Sequence, residues 1–232
     1  MGKPDVSLKV WLGNPARFAD LFNAILFKGR HIIDASELEY EKSEYDMIVT
    51  DKKDSQKALQ SFRDIVMRWN NEFRLVILAC ENQELINYGM PVRNMIYDGM
   101  AYSEQIQQIN NMVNTNISKN KRIPDIYYSK ELNLHKLMPV ITLVLYYGND
   151  EWDAPLELYD MLDVENYNYE DEELTDILKQ YVPNYKINLV IPSKLDDYSK
   201  FTTDLQPIFS MLKYKHNQKM SCNQCIRHCL LC

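Results

Sequence analysis

Residues 63–69 and 75–83 read Arg63-Asp64-Ile65-Val66-Met67-Arg68-Trp69 and Leu75-Val76-Ile77-Leu78-Ala79-Cys80-Glu81-Asn82-Gln83, with the polar segment Asn70-Asn71-Glu72-Phe73 leading from one towards the other. Both runs are rich in Ile, Val and Leu, and the segment between them has the length of a hairpin loop, so the pattern predicts an antiparallel pair of strands. Asp64 and Glu81 put charge on strands otherwise built for burial. If the turn centres between Glu72 and Phe73, Asp64 falls opposite Glu81, and opposed residues share a face with Cβ atoms roughly 5 Å apart. That separation suits one divalent cation. Gln83 points to the same face as Glu81, about 6.8 Å further along at 3.4 Å per residue. Two carboxylates between covered faces are costly unless a cation pairs with them or they are neutralised. The plain structural alternative pairs Asp64 with Arg63 or Arg68, and Glu81 with a lysine, at a strand end.

At 232 residues the chain is long enough for a sizeable core, with one domain and a few excursions as the default. Met1 to Lys9 carries only a short polar lead, and no apolar run approaches the roughly 20 residues of a membrane span, so a cytoplasmic protein with no membrane partner is expected. The first 221 residues contain only Cys80, which leaves no disulfide framework. A formal net charge of -7 argues at first sight against nucleic acid, whose affinity comes mostly from basic surface. The acid is concentrated, however, in Glu37 to Asp54 and Asp160 to Asp176. Lys28, Arg30 and His31, then Arg63 and Arg68, and finally Lys213, Lys215 and Lys219 remain as local basic groups.

Asn14-Pro15 opens a helix, with Asn as cap and Pro in the first turn, followed by Phe18, Leu21, Phe22, Ile25 and Leu26 at helical spacing and Gly29 at its end. Met47 to Thr50 reads as a short strand before the turn-like Asp51 to Asp54. Pro91 starts a second helix whose apolar stripe, Val92, Met95, Ile96 and Met100, is expected to pack on a sheet. Asn110 to Lys130 is polar and reads as an exposed connection. Leu137 to Gly148 is the strongest buried strand, Tyr185 to Pro192 another, and a final helix spans Asp204 to Tyr214. No glycine-rich phosphate loop is present. The expected architecture is α/β, a mixed central sheet flanked by helices.

The segments Phe18 to Phe22, Arg63 to Val66, Glu81-Asn82-Gln83, Met90 to Tyr97 and Pro139 to Gly148 occur in an order that resembles the Rpn family of recombination-promoting nucleases, the YhgA-like putative transposases, within the PD-(D/E)XK nuclease superfamily. The resemblance covers roughly residues 7 to 215 and implies a restriction-endonuclease-like core. It makes Asp64 the strand aspartate, Glu81 the acidic residue of an E-x-Q form of the (D/E)-x-K element, and Gln83 the occupant of the position where most of the superfamily has Lys. Asp20 matches the acidic residue of the first helix, which can help bind metal; on a helical wheel it lies opposite the apolar stripe and could equally be solvated. The implied activity is hydrolysis of DNA phosphodiesters with one or two Mg²⁺ held by Asp64 and Glu81, in recombination or mobile elements. Arg93 is then a candidate for the DNA backbone, or for a carboxylate partner. Arg63 replaces the proline that names the superfamily, and Gln83, unlike Lys, supplies neither a charge nor a transferable proton. A double-strand cut would call for a homodimer with two sites.

The division expected is a nuclease-like domain over 1–215, with a C-terminal extension after about 130, and a tail over 216–232. That tail carries Cys222, Cys225, Cys229 and Cys232 with His228 among them. Three residues between its CxxC pairs leave little room for a standard zinc site, and the tail reads as a disordered, non-native end. The alternative to the enzyme is a catalytically silent relative that binds DNA or protein through the same sheet, a decaying gene copy.

Overall fold

The computed structural model describes residues 10–41, 44–50, 56–62, 65–69, 73–80, 86–114, 136–148, 150–163, 177 and 179–214, with the strands at 44–50, 56–62 and 73–80 described by their backbone. Helix α1 (Pro15–Leu26) forms where its local signals place it. The Asn14 side chain accepts from the amides of Ala16 (3.0 Å) and Arg17 (3.4 Å), satisfying donors the first turn leaves open. At the other end Lys28 and Gly29 both take positive φ, and the Gly29 amide donates to the Asn23 carbonyl at 3.0 Å.

Strands β1 (Leu38–Tyr40), β4 (Ile65–Trp69), β5 (Phe73–Cys80), β6 (Val140–Tyr146) and β7 (Asn188–Val190) make one sheet in that spatial order. β4 runs antiparallel to both its neighbours, β1 and β5, whereas β5, β6 and β7 run parallel. The sheet is therefore mixed, as expected. β2 (Glu44–Thr50) and β3 (Gln56–Phe62) form a separate two-stranded antiparallel ribbon between β1 and β4 in sequence. A parallel pair needs a crossover, and β5 reaches β6 through helix α2 (Met90–Asn114).

The antiparallel hairpin exists, but its register differs from the expected one. Trp69 pairs with Phe73 and Ile65 with Ile77, so three residues separate the strands and Phe73 belongs to the sheet rather than the loop. With the turn centred between Glu72 and Phe73, Ile65 would have met Cys80. The three-residue offset removes the direct opposition of residues 64 and 81.

On one face of the sheet Ile65, Met67, Leu143, Leu145 and Val190 pack with Phe18, Leu21 and Phe22 of α1 and with Leu205, Ile208, Phe209 and Leu212 of the last helix, α3 (Leu205–Tyr214). Each such side chain contributes on the order of 1.5–3 kcal/mol when fully buried. Asp20 is not solvated. It is 4 % exposed because the chain entering α3 covers it. Its two oxygens accept from the Thr202 amide (2.9 and 3.0 Å) and hydroxyl (3.0 Å) and from the Thr203 amide (2.8 Å) and hydroxyl (2.6 Å). One helical turn earlier Arg17 grips Asp204 through both nitrogens of a fork, at 2.7 and 2.8 Å. Two adjacent clamps thus join residues far apart in sequence.

The opposite face meets α2, and here the helix is turned relative to expectation. Buried positions on it are Met90, Asn94, Asp98, Ala101 and Gln105, while Met95 and Ile96 are exposed at 37 and 45 %. The apolar stripe does not pack on the sheet. Polar side chains do, because the sheet and its flanking loops supply a partner for each: Asp98 accepts from the Thr142 hydroxyl at 2.7 Å, and Gln105 bonds both amide and carbonyl of Met138 at 2.7 and 3.1 Å.

Asp20→Ala is expected to lower stability by about 2–4 kcal/mol in chemical denaturation, since it orphans buried donors that bond a charged acceptor. The Arg17 fork holds the Asp204 carboxyl below its ordinary value. The stability this pair contributes is therefore complete above the unfolded carboxylate value of about 3.9 and lost as pH falls through the lower folded value. Arg17→Met should cost about 1 kcal/mol at neutral pH, solvent screening at this partly exposed pair keeping it small, and the difference from wild type should shrink in melts below about pH 4.

Candidate functional site

Strands β1, β5, β6 and β7 end, and β4 begins, at one edge of the sheet. In open sheets with parallel strands, ligands bind in the crevice outside the carboxyl ends, where loops converge on a rigid base. Asp64 immediately precedes β4 and Glu81 immediately follows β5, so both attach to this edge through the next residue in the chain. Asp64, Glu81 and Gln83 themselves lie outside the described residues.

Around that edge the described residues are tightly fixed. The Glu41 amide, one residue beyond β1, donates to the Val66 carbonyl at 3.0 Å, and the Glu41 carboxylate accepts from Arg68 Nε at 2.9 Å. Arg68 thus has Glu41 as a partner, while the Asp64 of the structural alternative lies outside the described residues. Past β6, the buried Tyr146 ring folds back over Gly148 and its hydroxyl donates to the Asp150 carbonyl at 2.9 Å. A Cβ on Gly148 would collide with that ring, so this glycine is needed for space. Trp152 stands edge-on to Tyr146 at 5.1 Å. The Tyr88 hydroxyl, just before α2, donates to Asp153 at 2.6 Å and ties the loop after β5 to the loop after β6. That hydrogen bond to a carboxylate raises the Tyr88 phenol above its ordinary value, so the donor stays protonated through the neutral range.

Beneath the edge runs a polar seam. Asp98 accepts from Thr142 on one oxygen and from the Tyr185 hydroxyl on the other, and that hydroxyl accepts from Asn94 Nδ2 at 2.8 Å. Asn188 Nδ2 donates to the Thr142 carbonyl at 2.9 Å. The seam locks α2 to β6 and to the chain entering β7. Pattern reading could not find it, since Asn94 and Tyr185 are polar partners far apart in sequence.

Arg93 is exposed in the first turn of α2, with Nε donating to the Tyr97 hydroxyl at 3.0 Å and its guanidinium over that ring at 5.4 Å. It points away from the core, on the helix that starts at the candidate edge. Asp20 stands apart, engaged by Thr202 and Thr203, and lines a cavity of about 130 Å³ with Asn23, His31, Lys200 and the two threonines. Among the described residues no group of three or more His, Cys, Asp or Glu side chains is placed to hold a metal ion. No helix among them is long and apolar enough to cross a membrane.

These features define an α/β protein with a mixed five-stranded sheet whose carboxyl edge is framed by fixed loops. Residues 122–229 match the family described as putative transposase, YhgA-like. Over that stretch, which includes β6, β7 and α3, the chain carries the pattern of the family its sequence segments resemble. Asp20, Asp64, Glu81, Gln83 and Arg93 all precede it. Neither the curated proteins nor the solved structures include a match.

Tyr185→Phe should cost about 1–3 kcal/mol, because it leaves Asn94 and Asp98 each short of a partner in a buried setting. A denaturation midpoint compared with wild type measures it. Gly148→Ala should destabilise by a similar amount, about 1–3 kcal/mol, through overpacking against Tyr146, with a changed near-ultraviolet signal from Tyr146 and Trp152.

Proposed function

We propose that this protein is a metal-dependent DNA endonuclease with a PD-(D/E)XK-type core, acting in recombination or mobile-element movement. The observation that carries the reading is topological. The antiparallel β4–β5 pair brings the start of one strand and the end of the next to the same edge, and the residues joined to those two ends are Asp64 and Glu81. The match to a family named for transposases supports a DNA partner. The hairpin followed by a crossover to a parallel strand supplies a rigid base for such an edge.

The donor set fits a hard cation: two carboxylates suit Mg²⁺, which binds through one or two carboxylates and keeps several waters. When bound, the ion would supply a more acidic water and neutralise charge on the phosphate. In this reading Asp64 and Glu81 hold the ion. Gln83 presents an amide that orients a water or a phosphate oxygen, and Arg93 offers a fork to the backbone of DNA. The clasp from Tyr88 to Asp153 fixes the two loops that frame the edge. Asp20 needs no part in this arrangement, since its oxygens serve Thr202 and Thr203; a metal role there would require exchanging those bonds.

Purified protein should nick supercoiled plasmid with Mg²⁺ and lose the activity in EDTA. Glu81→Ala and Asp64→Asn should each reduce it on the order of 100-fold or more, the scale of loss expected for damage to a metal site. Arg93→Gln should weaken DNA binding and flatten its salt dependence. A folded wild type that cleaves nothing under any divalent ion, yet retards DNA, would replace the enzyme with a silent DNA-binding relative.

A further inference from the structure

The cavity beside Asp20 holds more hydrogen-bond donors than its own residues use. Its floor is buried, with Asn23 6 % exposed and Ile33 fully covered. The main acceptors there are spent. Asp20 takes four donors from Thr202 and Thr203, and Asn23 Oδ1 takes the amides of Ile32 and Ile33 at 3.0 and 2.8 Å. Asn23 Nδ2 gives one hydrogen to the Ile33 carbonyl at 2.8 Å and has no acceptor for the other among the described residues.

His31 and Lys200 line the mouth, and neither makes a hydrogen bond or ion pair among the described residues. The carboxylates whose charge reaches them, Asp34 and Asp197, accept instead from the amide and hydroxyl of Ser36 and of Ser199. Those serine hydrogen bonds are the main reason both carboxyls sit below their ordinary value, with His31 and Lys200 a lesser cause. Gly29 brings the two cavity groups together. Its φ is positive, and a Cβ there would stand 3.1 Å from Lys200 Cγ, so the turn leading to His31 is seated on the Lys200 stem. Elsewhere Arg17, Arg68, Lys186 and Lys194 each hold a carboxylate. Asp20, Asp34 and Asp197 balance the charge of Lys28, Arg30 and Lys200, so this site gains an anion by contact rather than by long-range attraction.

Size narrows the ligand. A cavity of about 130 Å³ takes about four waters, well short of the roughly 300–1,000 Å³ that encloses a whole small molecule. It admits a group, not a nucleoside. An acceptor-only group of that size, facing an amide hydrogen and two basic side chains, is a tetrahedral oxyanion. We infer that the cavity is a phosphate subsite, with Lys200 and His31 holding the phosphate oxygens at the mouth and Asn23 Nδ2 holding one from the floor. A backbone phosphodiester of DNA and a free or terminal phosphate share that chemistry. Asp20 favours the diester, which brings one negative charge beside that carboxylate where a terminal phosphate brings about 1.5 to 2. The subsite is remote from the carboxyl edge, because Phe27, just past α1, lies edge-on to Trp69 at the far end of β4. It binds and does not cleave, and it stands whether or not that edge is catalytic.

The test is fluorescence anisotropy of a short labelled duplex with the full chain in EDTA, which separates binding from any cleavage. Lys200→Gln should weaken binding about tenfold and lower the salt slope by about one. His31→Gln should weaken it about threefold, as loss of a single hydrogen bond does. Ala16→Leu fills the cavity from an exposed helix position without altering charge, and should cost as much as Lys200→Gln. Lys186→Gln, at a cation already paired with Glu157, should change nothing. Circular dichroism checks that each variant is folded. In a second arm, inorganic phosphate is compared with chloride at equal ionic strength in thermal unfolding of wild type, Lys200→Gln and Ala16→Leu. Affinity for DNA lost in both Lys200→Gln and Ala16→Leu supports the diester as the ligand. Indifference of DNA to both, with phosphate raising the melting temperature of wild type alone, supports a free phosphate group in the same subsite. The inference is overturned if neither ligand responds to Lys200→Gln. It is equally overturned if a folded Ala16→Leu keeps wild-type behaviour towards both ligands, since Lys200 then acts only as surface charge.

Discussion

The parallel pairing of β5 with β6 is the constraint from which the rest of the architecture follows. Seven residue pairs, Arg74 with Val140 through Cys80 with Tyr146, lie side by side in one direction. Two strands that run the same way cannot be joined by a tight turn. The chain must therefore leave the carboxyl end of β5, travel back along the sheet and re-enter at the start of β6. Helix α2 makes that return, and its position against β6 requires partners for whatever it buries. The same direction is continued by β7, which concentrates strand ends and their loops at one edge.

That crossover also explains which parts of the fold were legible in the sequence. α1 announced itself because its determinants are local: Asn14 caps it, Pro15 opens it and Gly29 closes it, all within hydrogen-bonding reach along the chain. β6 was legible because both its faces are covered and an uninterrupted apolar run has few other uses. The position of α2 is legible, but not which of its faces meets the sheet. Apolar periodicity marks the buried face only when the partner surface is apolar, and here Thr142, Tyr185 and the backbone of Met138 offer polar partners to Asp98, Asn94 and Gln105. The periodicity described a real face of the helix, one that the sheet does not cover.

The hairpin shows a second limit of the same kind. Its existence follows from two apolar runs around a polar segment, but its register depends on whether Phe73 belongs to strand or loop. An aromatic residue beside polar neighbours can serve either. Pairing with Trp69 draws it into the sheet and moves every later pair by three. The expected opposition of Asp64 and Glu81 goes with the old register; what the sheet fixes is that the chain reaches Asp64 from the start of β4 and Glu81 from the end of β5. For Asp20, the helix that carries it is legible, but nothing near it in sequence reveals that Thr202 and Thr203 fold over it.

Those clamps, Asp20 with Thr202 and Thr203 and Arg17 with Asp204, impose an order of events on a chain still being synthesised. The face of α1 that carries Phe18, Leu21 and Phe22 meets Leu205, Ile208 and Phe209, which the ribosome adds nearly the whole chain later. At about 5–20 residues per second, that gap of some 190 residues lasts on the order of 10–40 s. Throughout it the aromatic face of the first helix has no final cover, and a buried carboxylate has yet to meet its donors. Truncation before residue 205 would leave the aromatic face of α1 permanently without its C-terminal cover.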